Sequence, residues 1–139
     1  MTDAELSALV NRPGDPANGK LEVISAIFEH KGLKRKTIDT FKDPRNVQDA
    51  KHLINQFHAG NRNPGISNTK IKGIPKMFEL RSRYGTRVIF QNEANAIKIF
   101  AILDKKNRTP GIILLKGLNS PTIKIIFHRK KNCYESDEY

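Results

Sequence analysis

The spacing of the apolar residues changes near the middle of the chain, and this change limits the possible folds more than any other feature. Before about residue 60 apolar residues recur at helical intervals, most clearly at Val47, Ala50, Ile54 and Phe57. From Met77 onward they alternate with polar residues, as in half-buried strands. Helices followed by strands predict an α+β fold, in which N-terminal helices pack on a sheet of four to five antiparallel strands.

One helix is well marked in the first half of the chain. Asp43 is a suitable N-cap, Pro44 fits the first turn, and Gly60 follows the last apolar position. The pattern is weaker elsewhere in this half. It predicts a helix over residues 3–11, a linker over Asn11–Lys20, a helix over Leu21–His30, a short strand over Thr37–Phe41 and a polar loop over Ala59–Lys70.

The second half reads as a meander of strands. The predicted strands are Met77–Ser82, Arg87–Gln91, Ala96–Leu103 and Thr122–His128. Turns are expected at Tyr84-Gly85-Thr86 and at Asn92–Asn95, so the first three strands should be antiparallel neighbours. The apolar run Gly111–Leu115 fits either a strand or a helix. We predict three parts: a helical N-terminal extension (1–32), a core (33–131) and a polar tail (132–139).

Basic residues are concentrated in the second half of the chain. The net charge is +11, and residues 65–131 hold 15 of the 25 Lys and Arg but only three of the 14 acidic residues. An uneven charge of this kind favours a polyanionic partner, because each phosphate contacted releases counterions. The alternative is a basic surface that only keeps the protein in solution. We expect nucleic acid as the partner.

Several classes of protein are disfavoured by composition. The single cysteine, Cys133, excludes an internal disulfide and a cysteine-only metal site. No stretch has the length of apolar residues that a membrane helix needs, and the N-terminus lacks the pattern of a secretory signal, so a cytoplasmic protein without membrane contact is expected. No histidine pair has a recognised metal spacing, and no phosphate-binding glycine loop is present. We predict neither a metal nor a cofactor.

The hairpin Lys76–Phe90 carries an unusual set of arginines. If Leu80 and Val88 face the core, alternation places Arg81 and Arg87 together on the opposite face, with Glu79 beside them. Like charges on neighbouring strands are unfavourable unless an anion lies between them, which favours a bound phosphate. Alternatively, Glu79 pairs with one arginine and the others point into solvent. Lys98 of the third strand is expected on the same face.

Two further groups are candidates for chemistry. Lys105, Lys106 and Arg108 follow the third strand, where they could stabilise charge on a phosphoryl group or simply form a solvated loop. His128, near a strand end, could transfer protons near neutral pH, although a lone histidine there is often only part of the surface. Acidic residues in the basic half are too few for a two-metal nuclease.

Three short motifs in this half occur in a recognisable order. Leu80-Arg81 ends one strand, Gly85 with Arg87-Val88 opens the next, and Lys105-Lys106 with Thr109-Pro110 follows the third. In this order the stretch Lys70–Pro110 resembles the RelE/ParE superfamily of bacterial type II toxins, in the HigB-like branch or a related toxin ribonuclease of the same sheet fold. The resemblance implies helices packed on an antiparallel sheet.

The resemblance also implies a function. Ribonuclease members of the family cut mRNA on the ribosome without a metal, through attack of the RNA 2′-hydroxyl, and related secreted toxins cut tRNA, some with a histidine. By position, Arg81, Arg87, Lys105, Lys106 and His128 become the expected catalytic residues. The expected RNA-binding residues are Lys70, Lys72, Lys76, Arg83, Tyr84, Lys98 and Arg108. An acidic antitoxin or immunity protein is the expected neutralising partner.

The sequence departs from the usual family order, which is a first strand followed by a helical hairpin. Here Thr37–Phe41 would have to be the first strand, only one strong helix follows it, and a strand is predicted at Thr122–His128 where many members have a helix. Two alternatives to a ribonuclease remain open: a non-enzymatic toxin that inhibits DNA gyrase, and a plain nucleic-acid-binding domain.

Overall fold

The structure, a computed structural model, describes residues 1–118, which form four helices and five strands. In chain order these are α1 (Asp3–Val10), β1 (Glu22–Ser25), α2 (Lys31–Thr40), α3 (Pro44–His58), β2 (Ser67–Lys70), β3 (Phe78–Arg81), β4 (Arg87–Glu93), β5 (Ala96–Leu103) and α4 (Lys105–Leu118). The predicted strand Thr122–His128, with His128, and the predicted tail 132–139 lie outside the described residues. No helix within residues 1–118 has both the length and the apolar character needed to cross a bilayer.

The strands form a single mixed sheet in the order β1-β5-β4-β3-β2. The meander β2 to β5 is antiparallel, which confirms the α+β fold and the predicted hairpins. The prediction of a purely antiparallel sheet is wrong, because β1 lies parallel to β5, with Val23 opposite Ile97. A strand so far along the chain from its partner leaves no local sequence signal of its direction.

The helix over Asp43–Gly60 is confirmed. The Asp43 carboxylate accepts a hydrogen bond from the backbone N–H of Arg45, and Pro44 is the first residue of α3. At the other end, Gly60 takes a left-handed conformation with φ of 102°. The short helix predicted near the N-terminus is also present as α1, which begins with a capping box between Thr2 and Glu5.

Two predictions in the first half are wrong. Leu21–His30 is not a helix: Glu22–Ser25 is a strand that buries Val23 in the sheet, and only a short 3-10 turn follows it at Ile27–Glu29. Thr37–Phe41 is not a strand but the end of α2. Its β-branched residues suggested a strand, yet the Thr37 side chain accepts a hydrogen bond from the backbone N–H of Ile102 and so ties α2 to β5.

Two further segments are now assigned. Ser67–Lys70, predicted as part of a polar loop, is the edge strand β2, which its polar side chains had concealed. The ambiguous run Gly111–Leu115 is helical and belongs to α4. Asp104 precedes this helix and its carboxylate accepts the backbone N–H of Asn107, as an N-cap does.

Each face of the sheet is covered by its own hydrophobic cluster. The first includes Leu6, Val23, Phe57 and Phe90, and the second includes Leu33, Ile89 and Leu115. Residues 1–32 therefore contribute a strand and core side chains, so their description as a helical extension is corrected. The face that carries Arg81 and Arg87 is not wholly polar either, since α4 covers its Ile89.

Candidate functional site

Arg81 and Arg87 are directly opposite each other in the β3–β4 ladder. This confirms that they share one face of the sheet. The Arg81 carbonyl oxygen accepts the backbone N–H of Ile66, which anchors the start of β2 beside it. That approach requires a glycine at position 65, where φ is 81° and a Cβ would come within 2.6 Å of the Arg81 oxygen.

The turn between the two arginines is held by one serine. The Ser82 hydroxyl oxygen accepts backbone N–H groups of Gly85 at 3.2 Å and Thr86 at 3.1 Å. Its own proton is donated to the Asp49 carboxylate of α3. The hairpin therefore enters β4 in a fixed orientation, which in turn fixes the backbone of Arg87.

A small pocket of about 200 Å³ lies over these arginines. Its lining is polar or charged throughout and consists of Ser67, Thr69, Glu79, Arg81, Arg87 and Arg108. Glu79 is only 7% exposed. Its two carboxylate oxygens accept separate hydrogen bonds from Arg108, one at 2.7 Å from Nε and one at 2.9 Å from Nη2. This paired geometry is the strong form of an arginine–carboxylate contact.

Glu79 compensates the positive charge of only one of the three guanidinium groups, that of Arg108. Its hydrogen bonds raise the pKa of Arg108. Arg87 has no such partner: its pKa is lowered chiefly by burial, the nearby charges of Arg81 and Arg108 lower it further, and among the pocket residues only Glu79 acts in the opposite direction. Among residues 1–118, no ion pair or side-chain hydrogen bond holds Arg81. The pocket therefore has an excess of positive charge in partly desolvated surroundings, which an anion would relieve.

Arg87 is nevertheless well positioned. One of its terminal nitrogens donates to the Gly85 carbonyl oxygen at 2.8 Å, leaving the rest of its donors for another acceptor. The hydroxyl groups of Ser67 and Thr69, from the edge strand, add neutral donors to the same pocket. With fixed guanidinium groups and hydroxyls, the pocket can bind a single tetrahedral anion such as a phosphate.

The lysines predicted to be catalytic lie outside the pocket. Lys105 and Lys106 are in the first turn of α4, and the Lys106 ammonium is 3.1 Å from the Asp39 carboxylate. This contact raises the pKa of Lys106. Lys98 lies on the same face as the arginines, because its neighbours Ile97 and Ile99 face the other cluster, but it does not line the pocket. It lies opposite Gln91 in the ladder, and its ammonium is 3.9 Å from the Glu29 carboxylate.

Tyr84 lies on the other side of the hairpin from the pocket. Its hydroxyl donates to the Asp43 carboxylate at 2.9 Å, and the Arg45 guanidinium is 4.7 Å from the ring centre. Tyr84 thus packs over the start of α3. Arg83 is exposed in the turn, and within residues 1–118 it has no ion pair or hydrogen bond of its side chain. Neither residue lines the arginine pocket.

Lys70, Lys72 and Lys76 lie at the end of β2 and in the loop after it, and they are exposed. Lys70 and Lys72 line a second, shallower pocket formed by this loop, whereas Lys76 has a left-handed backbone with φ of 61°. His128 lies outside the described residues. Of the predicted site residues, the structure therefore brings Arg81, Arg87 and Arg108 together with Glu79.

A buried polar network supports the pocket from behind. Asn46 accepts a hydrogen bond from the Thr86 hydroxyl at 2.9 Å and donates to the Thr40 carbonyl oxygen at 3.0 Å. Asn107, next to Arg108, donates to the carboxylates of Asp39 and Asp104, both at 2.9 Å. These contacts connect α2, α3, the hairpin and α4.

The sequence interpretation missed this network and the two pocket hydroxyls. Ser67 and Thr69 fell in a segment predicted as a loop. The spacing of Asp104 and Asn107, which is typical of a helix start, was the one signal that could have placed Arg108 on a helix rather than in a solvated loop.

Comparisons with known proteins identify no relative. A scan of protein-family models, a search of curated proteins and a search of solved structures each return no match. Within residues 1–118, no group of three or more His, Cys, Asp or Glu side chains is arranged to hold a metal ion.

Proposed function

We propose that this protein is a toxin endoribonuclease that cleaves RNA without a metal, through attack of the 2′-hydroxyl on the neighbouring phosphate. The observation that carries the proposal is the pair Arg81 and Arg87, which lie side by side without a carboxylate of their own in a pocket that fits one phosphate. Repulsion between them is relieved when the scissile phosphate binds.

The two arginines bind the non-bridging oxygens of that phosphate. Negative charge on these oxygens grows as the 2′-oxygen approaches phosphorus, so fixed guanidinium donors stabilise the transition state more than the bound substrate. Arg108 is held in place by Glu79, which compensates its charge, so the excess positive charge of the pocket comes from Arg81 and Arg87. Preorganisation of this kind avoids rearrangement during the reaction.

The reaction makes one bond and breaks one. The 2′-oxygen bonds to phosphorus and loses its proton, while the bond from phosphorus to the 5′-oxygen breaks and that oxygen gains a proton. The products are a 2′,3′-cyclic phosphate and a 5′-hydroxyl. Glu79 is the pocket residue that can accept the first proton, because an ionised carboxylate bound to Arg108 keeps free lone pairs. A lysine or His128 stays the predicted donor of the second proton.

The order of the elements supports the proposal. After the N-terminal helix α1 comes the strand β1, the helical pair α2 and α3 follows, and the antiparallel strands β2 to β5 come next. This is the order that the resemblance to the RelE/ParE superfamily implies, and it removes the need for a first strand at Thr37–Phe41. By the same resemblance, a cognate acidic antitoxin or immunity protein would neutralise the enzyme by covering the arginine pocket.

Cleavage of RNA by the purified protein in the presence of EDTA tests the proposal. Arg81→Ala and Arg87→Ala should each lower the cleavage rate by about 100-fold. Arg83→Ala is the matched control, because Arg83 lies in the same hairpin but outside the pocket, and it should cleave at the wild-type rate. Folded wild-type protein that leaves all RNA intact would contradict the proposal, as would equal losses in all three variants.

The same variants separate the two alternatives. A plain nucleic-acid-binding domain would lose affinity in Arg81→Ala and Arg87→Ala but would have no turnover to lose. A gyrase inhibitor would leave RNA intact and slow DNA supercoiling instead.

A further inference from the structure

A second basic cluster lies beyond the arginine pocket. Lys70, Lys72 and Lys76 project from the end of β2 and the loop after it, and Lys116 of α4 joins them, since its ammonium is 3.9 Å from where a Cβ on Gly73 would be. We call these four residues the lysine cluster. They are all exposed, and none takes part in an ion pair among the described residues.

Three acidic residues lie in the described part of this half of the chain, and none is paired with the lysine cluster. Glu79 is bound to Arg108, and the Asp104 carboxylate receives donors from Asn107 at the start of α4. Glu93 is the last residue of β4, at the opposite end of that strand from Arg87. Among residues 1–118, no carboxylate therefore compensates the charge of the lysine cluster.

Two elements connect the lysine cluster to the arginine pocket. In β2 and the loop after it, Thr69 lines the arginine pocket, and Ile71 and Lys72, which follow it closely in the chain, line the second pocket. Ser67 and Lys72 are about 16 Å apart along an extended chain. In α4, Arg108 contacts Glu79 and Lys116 lies eight residues further on, about 12 Å along the helix.

The side chains that the loop exposes are chiefly lysines, although the lining of its pocket is mainly apolar. Its two isoleucines are turned into the core, with exposed fractions of 6% for Ile71 and 1% for Ile74. A protein partner is usually held by an apolar centre with a polar rim, whereas a nucleic-acid backbone is held by cations alone. The described residues that line the two pockets include no aromatic side chain that could stack on a base.

We propose that the arginine pocket and the lysine cluster form one track for the backbone of single-stranded RNA. This inference rests on the proposed function: the arginine pocket holds the scissile phosphate, and the lysines contact phosphates of the nucleotides beside it. A single strand is required because in-line attack by the 2′-hydroxyl needs a backbone geometry that a regular duplex does not allow. Binding along the track depends on charge and tolerates any base.

The salt dependence of binding tests the track. The probe is an oligonucleotide of 2′-O-methyl RNA, about 12 nucleotides long, which lacks the attacking hydroxyl and so reports binding alone. In a plot of log affinity against log salt, Lys72→Gln combined with Lys116→Gln should reduce the slope by about 1.4, because each phosphate that a lysine no longer neutralises removes about 0.7. Lys20→Gln with Lys51→Gln is the matched control, because these lysines are exposed and line neither pocket.

The outcomes are distinguishable. The track is overturned if the salt slope is unchanged in the Lys72/Lys116 variant, or if it falls equally in the control. An unchanged slope is also the result expected if the lysines bind an acidic protein instead of RNA. If wild-type protein fails to cleave ordinary RNA but the slope falls as expected, the track stands as a binding surface and the proposed reaction fails. In an active enzyme, the variant should raise KM and leave kcat unchanged.

Discussion

Replacement of Glu79 by glutamine separates the stabilising role of this residue from its effect on anion binding. The change keeps the shape of the side chain but removes the one negative charge that the described residues contribute to the lining of the arginine pocket. Glutamine has a single accepting oxygen, so only one of the two hydrogen bonds from Arg108, at 2.7 Å and 2.9 Å, can remain, and the amide NH2 faces the other donor. The three guanidinium groups then face one another without compensation.

The size of the effect follows from the exposure of the two partners. Breaking a fully buried pair costs about 3–5 kcal/mol, and an exposed pair contributes less than about 1 kcal/mol. The Glu79 side chain is 9% exposed but that of Arg108 is 43% exposed, so the pair is intermediate. We expect Glu79→Gln to lower the free energy of unfolding by about 1–2 kcal/mol, which lowers Tm by about 3–6 °C.

Anion affinity should change in the opposite direction. A carboxylate about 5 Å from a bound anion repels it by about 1 kcal/mol in a half-open pocket, so sulfate should bind the variant about fivefold more tightly. Because a ligand stabilises the folded state more strongly when it binds more tightly, added sulfate should raise the Tm of the variant more than that of the wild type.

Thermal unfolding with and without sulfate measures both effects, and Glu93→Gln is the control. Glu93 is exposed at the end of β4 and has no ion pair among the described residues, so its replacement changes the net charge equally at a distance from the pocket. A Glu79→Gln variant with the Tm and the sulfate response of the wild type would refute the reasoning. RNA cleavage should fall in the same variant if Glu79 accepts the 2′-hydroxyl proton.

Three other predictions concern the surroundings of the pocket. Asn46→Ala leaves the Thr86 hydroxyl and the Thr40 carbonyl without their buried partner, so urea denaturation should show a loss of about 2–3 kcal/mol in the free energy of unfolding. Gln48→Ala, at an exposed position of the same helix, should lose far less. Gly65→Ala forces a Cβ against the Arg81 carbonyl oxygen at positive φ, and circular dichroism melting should show a lower Tm; equal Tm values would contradict the strain. The pKa of Asp39 is held far below its usual range, first by the hydrogen bond from Asn107 and then by Lys106 and Lys42. The ionised Asp39 carboxylate therefore stabilises the fold fully above about pH 4, and this stabilisation is lost as pH falls towards the pKa of Asp39 in the folded state. Asp39→Asn should remove this loss, so that Tm falls less steeply as pH is lowered below about pH 4.

The features that the sequence predicted correctly are those set by neighbours along the chain. The helix that starts at Asp43-Pro44 has its start signals within four residues of its first apolar position. Alternation along a hairpin is equally local, and it placed Arg81 and Arg87 on one face without any knowledge of what covers that face. To predict that Arg81 and Arg87 lie opposite each other, it was enough to know the length of the turn between the two strands.

The features that were missed depend on partners distant in the chain. Val23 is in a strand only because β5 pairs with it, and the same apolar spacing would suit a helix. Thr37 lies in α2, and its hydroxyl oxygen accepts a hydrogen bond from the backbone of β5. At the site, Arg108 looked like part of a solvated loop, and its bond to Glu79 could not be foreseen without the path of α4 across the sheet.

The parallel pairing of β1 with β5 also affects the order in which the protein can be completed. Glu22 is opposite Ala96, and both central helices and the antiparallel strands lie between them in the chain. During synthesis β1 emerges from the ribosome early, with only a local bridge between Val23 and Arg12, and has no partner strand until β5 has followed it. Contacts between such distant segments form slowly. The arginine hairpin, by contrast, is local and can form early. During synthesis there is therefore an interval in which Arg81 and Arg87 are present without the finished sheet that holds them in place.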